Sequence, residues 1–195
     1  THSDATNPNQ ITIGDTGTYY VAVNIPNYTS DSTERAAVGL RLELDGSEVS
    51  GTRGLTGYMR ARSTQGNFYA SIHYAGLVEV TSGEVLTVGV SMMGADGNVT
   101  VGGNNATILI RKMSSNDGLF KAAVSGLVSG SDWNPATPID VTYSAADIKD
   151  TDYYSHTADS NAITVLRDGV YHFSIAAPET TGNDADYREA PQFEM

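Results

Sequence analysis

Residues 17–25 read Gly-Thr-Tyr-Tyr-Val-Ala-Val-Asn-Ile. β-Branched and aromatic residues stand there in near alternation, the pattern of a strand with one buried face. Residues 169–173 read Gly-Val-Tyr-His-Phe, the same shape again. The match extends outward at one constant offset. Ile11-Thr12-Ile13 falls against Ile163-Thr164-Val165, Gly17 against Gly169, and Pro26 against Pro178. With a small gap, His2 in Thr-His-Ser-Asp falls opposite His156 in Ser-His-Thr-Ala-Asp. Such self-similarity is the mark of a repeated supersecondary unit. Short strand patterns also recur by chance in all-β chains, but a shared register from position 11 to 26 favours duplication.

Strand signals fill the stretch between the two copies. Val38, Leu40, Leu42 and Leu44 alternate with Gly39, Arg41 and Glu43, so one face of that segment is apolar. Asp45-Gly46 follows at once and signals a tight hairpin, with a further strand starting near Glu48. Strands are also expected over 57–62, 68–74, 76–80, 84–92 and 105–112. Gln65-Gly66-Asn67, Ser82-Gly83, Asp96-Gly97-Asn98 and Gly102-Gly103 punctuate them as turns. No segment has convincing helical periodicity; residues 144–151 would form one turn at most. Many short strands at this spacing predict an all-β antiparallel sandwich or barrel.

Composition narrows the function classes. The chain has 195 residues, enough for one large or two small domains with a real core. Hydrophobic residues make up 39% and charged residues 17%, with 20 Gly, a mixture suited to short strands and tight turns. The formal net charge of -12 repels nucleic acid and anionic lipid alike, so neither is expected as a partner. No Cys is present, so disulfides and Cys-ligated metals are excluded. No stretch approaches the roughly 20 apolar residues of a membrane-spanning helix. Residues 1–10 are polar and unlike a signal peptide.

The region from Phe120 onward resembles the opening of a complement C1q globular head, a relative of the tumour necrosis factor jelly roll. The resemblance rests on Phe120-Lys121-Ala122-Ala123-Val124, Pro138-Ile139, Tyr153-Tyr154, Ala162-Ile163-Thr164-Val165 and Asp168-Gly169-Val170-Tyr171-His172-Phe173-Ser174. Leu44-Asp45-Gly46, residues 77–88 and Ala106-Thr107-Ile108-Leu109-Ile110 are similar to the later strands of such a domain. The Phe-x-Gly-Phe usual in the closing strand of complement-type members is missing. The resemblance implies a TNF-like antiparallel jelly-roll β-sandwich in two related copies, at least one incomplete. Residues 1–113 would hold the later strands of one domain and 114–195 the opening strands of another. It also implies a homotrimer, with Tyr19, Tyr171 and Phe173 near a subunit interface; the competing reading places these three in an ordinary core.

Residues that carry chemistry are sparse. Nucleophilic catalysis needs a nucleophile, a base and an orienting group. No Gly-x-Ser-x-Gly elbow and no His-x-x-x-His spacing occur. His73 and His172 lie on expected strands, and His2 and His156 share one repeat position, which suggests a shared structural role. Asp147, Asp150, Asp152 and Asp159 cluster before the second repeated strand. Hard oxygen ligands in a loop suit calcium, and a solvated acidic loop is the alternative. Asp184 and Asp186 offer a weaker cluster. Trp133, Tyr153 and Tyr154 beside Asp152 could form a glycan platform, or Trp133 could plug the end of the sandwich. The Asn-x-Thr triplets at Asn27, Asn98 and Asn105 would accept glycans in a secreted eukaryotic protein, but in a chain this rich in Asn and Thr they also arise by chance.

These observations point to a non-enzymatic structural or binding module in an extracellular, cell-surface or virion-surface setting. Candidates are a virion decoration or fibre protein, or a repeat of a microbial surface filament. A carbohydrate-binding adhesin is the alternative, and a secreted hydrolase is a further one for which no residue set asks. Strands from residues 119–143 of one chain could complete the sandwich begun by residues 11–113 of a neighbour. The repeated strand argues partly against this, and truncation of a longer tandem protein is the simpler expectation.

Overall fold

A computed structural model describes residues 2–3, 6–30, 35–36, 38–52, 54–55, 59–60, 69–92, 99–101, 106–114, 117–123 and 142–173. Trp133, Pro138, Ile139, Pro178, Asp184, Asp186 and the turns at 65–67, 96–98 and 102–103 lie outside the described residues.

The described residues form strands and no helix, as their β-branched alternation predicts. In chain order these are β1 (His2–Ser3), β2 (Asn7–Thr12), β3 (Gly17–Ser30), β4 (Arg35–Ala36), β5 (Val38–Leu44), β6 (Ser47–Glu48), β7 (Gly54–Leu55) and β8 (Met59–Arg60). Then follow β9 (Tyr69–Val80), β10 (Val85–Met92), β11 (Val99–Val101), β12 (Thr107–Lys112), β13 (Phe120–Lys121), β14 (Ile148–Lys149), β15 (Tyr154–Ser155) and β16 (Thr164–Val165). All pairings are antiparallel.

Two larger sheets share one core. The first runs β1-β2-β10-β5-β6, with β7 also on β5. The second is built on β3, which pairs with β9 along one edge and with β12 and β11 along the other. Alternation decides which face is buried. Tyr19, Val21, Val23 and Ile25 of β3 point inward with Ile72, Tyr74, Val78 and Val80 of β9. Val38, Leu40 and Leu42 of β5 meet them, with Ile13 and Leu86. Val21, Leu42 and Val78 have no exposed surface at all. Leu44 packs at the margin, so the four alternating apolar residues of β5 face one way as expected.

Two corners carry the chain between the sheets. Residues 13–16 lead from β2 to β3, and 81–84 lead from β9 to β10. The corners hold each other: Ile13 N–H donates to Glu84 O at 3.0 Å and Gly83 N–H to Ile13 O at 2.8 Å. The Ser82 hydroxyl adds a bond to Gly14 O at 2.6 Å. The Asp45-Gly46 hairpin forms as its residues require. Both adopt positive φ, 49° and 79°, the geometry of a two-residue primed turn, and Leu44 then pairs with Ser47.

Two strands expected at 68–74 and 76–80 prove to be one. Gly76 does not interrupt β9; it sits opposite Val21 within the ladder. A Cβ on Gly76 would overlap the Tyr74 hydroxyl two residues back on the same face, so the glycine makes room for the core tyrosine. The segment 144–151 makes no helical turn, because Ile148 and Lys149 pair with Phe120 and Lys121 instead.

Candidate functional site

The distinctive geometry lies in residues 117–123 and 142–173. Three small pairings build it: β13 with β14, β15 with β16, and a bridge from Tyr143 to Ser160. Aromatic rings fill the space between them. His156 packs edge-on against Phe120 at 5.5 Å, Phe120 meets Tyr154 at 5.6 Å, and Tyr154 meets Tyr171 at 6.0 Å. Phe173 ends the run beside Tyr171 at 6.5 Å. Burial, reinforced by the neighbouring Tyr171, Asp150 and Tyr153, pushes the Tyr154 phenol above its ordinary pKa. Its hydroxyl donates to Gly118 O at 3.1 Å.

Two side-chain contacts of this region fall at positions matched in sequence to two in residues 2–19, although residues 169–173, matched to the start of β3, form no strand. His2 Nδ1 lies 3.0 Å from Gln10 O, and His156 Nδ1 lies 3.1 Å from Ala162 O. Gln10 and Ala162 occupy the same repeat position, each just before the matching Ile. The Tyr19 hydroxyl donates to Asp15 O at 2.8 Å, and the repeat-equivalent Tyr171 hydroxyl donates to Arg167 O. His2 pairs with Ile11 across β1 and β2, while Ser155 pairs with Thr164 across β15 and β16, which sets His156 opposite Ile163.

The sequence matches no protein-family model, and no curated protein matches it. Its chemistry must therefore be read from its own residues.

The four aspartates weighed for calcium do not converge. Asp147 faces Lys121 Nζ at 3.9 Å, and Asp152 faces Arg167 Nη2 at 3.8 Å. Asp150 Oδ1 accepts the Asp152 N–H at 2.9 Å, closing a local turn. Asp159 takes a left-handed φ of 62° and donates its N–H to Tyr143 O at 2.7 Å. Among the described residues, no three His, Asp or Glu side chains gather as a cation would require.

Tyr153 and Tyr154, neighbours in the chain, are both half-buried, with ring centres 6.4 Å apart. The Arg167 guanidinium carbon stands 4.5 Å from the centre of the Tyr153 ring, and the Gly118 backbone lies against that same ring. The three residues assigned to a core or an interface separate. Tyr19 is buried, Tyr171 is half-buried and Phe173 is 61% exposed.

Contacts among the described residues join this region to the sandwich. Lys121 Nζ donates to Ser50 O at 3.2 Å, and the His172 ring lies 6.2 Å from Tyr20. Beside Tyr20, on the face of the β3 sheet turned away from the core, Ala22, Asn24, His73, Ala75, Thr107 and Leu109 line a shallow groove. Composition alone hides that groove, since it depends on β9 and β12 flanking β3.

Proposed function

We propose that the chain is a non-enzymatic structural and binding module of an exterior assembly, such as a virion decoration or fibre protein or a repeat of a microbial surface filament. One observation carries this reading: the same His-to-carbonyl and Tyr-to-carbonyl bonds recur at repeat-equivalent positions. Independent catalytic sites do not require such recurrence; a module used again and again to build length or valency does. The acidic balance of -12 suits a surface exposed to solvent and salt. The TNF-like jelly roll and the trimer implied by the resemblance belong to the same proposal.

Light scattering on the unaltered chain tests it. A sharp species at three times the 20.6 kDa chain mass is expected. A monomer that is retained by polysaccharide resin, and released by soluble sugar, would overturn this reading in favour of a monomeric adhesin.

A further inference from the structure

We infer that the face carried by residues 164–173 is a docking strand for a second β-sandwich body patterned like residues 36–113 of this same chain. The inference rests on the repeat reading above and names the partner of the second copy.

The first copy shows what this face is for. Ile13 and Val21 are 6% and 0% exposed there, closed over by the opposing sheet. Val165 and Phe173 hold the same repeat positions in the second copy and are 40% and 61% exposed. Val170, at the position of half-buried Thr18, is 104% exposed. Strand edges tell the same story. β2 carries β1 on one side and β10 on the other, through Thr12 opposite Val85 and Ile11 opposite Leu86. β16 carries β15 on one side, and among the described strands none takes the place of β10.

The chain's own sandwich cannot serve, because β2 and β3 already fill that position. A flat apolar ligand would cover the edge of β16 that no described strand pairs without offering its N–H and C=O groups any partner. A body bearing strands like β5, β9 and β10 supplies both the apolar cover and the ladder.

The test extends the full chain by a second copy of residues 36–113 appended after Met195. One cysteine replaces Thr164 and another replaces the appended copy's Val85; the natural chain has none to interfere. We expect that disulfide to form in high yield under mild oxidation, and the calorimetric unfolding enthalpy to approach twice that of the unextended chain. Phe173→Asp should abolish the disulfide and the added enthalpy while leaving the first sandwich unchanged. An appended segment that stays unfolded overturns the inference, as does a disulfide that forms equally well in the Phe173→Asp variant. Should the unextended chain pair through Phe173 alone and fall to monomer with Phe173→Asp, a symmetric contact between second copies replaces it. The solution mass that tests the assembly role is measured on the unaltered chain, so the two readings fail separately.

Discussion

The imidazole Nδ1 of His156 lies 3.1 Å from the carbonyl oxygen of Ala162, and its Nε2 lies 2.9 Å from that of Ser144. Both ring nitrogens thus face acceptors, and the ring ties the 154–165 hairpin to the segment beginning at Tyr143. The sandwich is closed by an apolar core; residues 117–123 and 142–173 are held by short backbone ladders, side-chain to backbone bonds and ring contacts. None of these residues joins the buried core.

His156→Ala should therefore loosen the second copy alone. Loss of the ring's hydrogen bond to backbone carbonyl costs about 1 kcal/mol. Limited proteolysis should cut faster within 154–165, with no change in cutting within β3 or β9. His2→Ala should leave the 154–165 cutting rate where it was.

Thr52 is the one polar side chain among the described residues to be fully buried, and its role is specific. Its hydroxyl donates to Val49 O at 2.7 Å and accepts the Leu42 N–H at 3.1 Å, continuing the ladder where β6 stops. Thr52→Val keeps the shape and strands that N–H in the core. A loss of about 1–3 kcal/mol is expected in urea unfolding, and Thr52→Ser should recover most of it.

Gly76→Ala places a methyl against the Tyr74 hydroxyl. Overpacking of this kind costs about 1–3 kcal/mol. Removing the obstructing oxygen with Tyr74→Phe should restore part of the melting temperature in the double variant. Additive losses in the two variants would contradict the contact.

Burial, with a smaller contribution from Tyr20, pushes the Tyr74 phenol up to about 12 from its usual 10.0. The folded state therefore favours the neutral form. Its contribution is intact below pH 10 and is lost as the pH climbs toward 12. At about 1.4 kcal/mol per unit, the loss approaches ~3 kcal/mol. Circular dichroism should show alkaline unfolding starting in that window, and Tyr74→Phe should delay it.

Much of the sandwich is legible in the sequence because local rules and tertiary packing agree there. Val38 to Leu44 alternates as a half-buried strand must, and Asp45-Gly46 can only close it as a primed turn. Gly76 looks like a break in the sequence, since its reason lies in the Tyr74 ring on the same face rather than in the chain's local preference. Thr52 carries no sequence signal; its burial depends on where β6 ends. The His and Tyr contacts stand where comparing positions suggests. The strand expected over residues 169–173 does not form, since local alternation without a ladder partner does not make one. Sequence proximity of Asp147, Asp150 and Asp152 does not disclose that Lys121 and Arg167 face two of them.

Hydrogen exchange measured by NMR on the unaltered chain tests the central claim, that one motif occurs twice, once closed and once open. Amides of residues 17–25 should exchange at the rate of global unfolding. Those of 164–173 should exchange faster by roughly 100-fold or more, as expected for a segment with few buried contacts. Equal protection in the two copies would mean that the second is already covered, and would contradict the account.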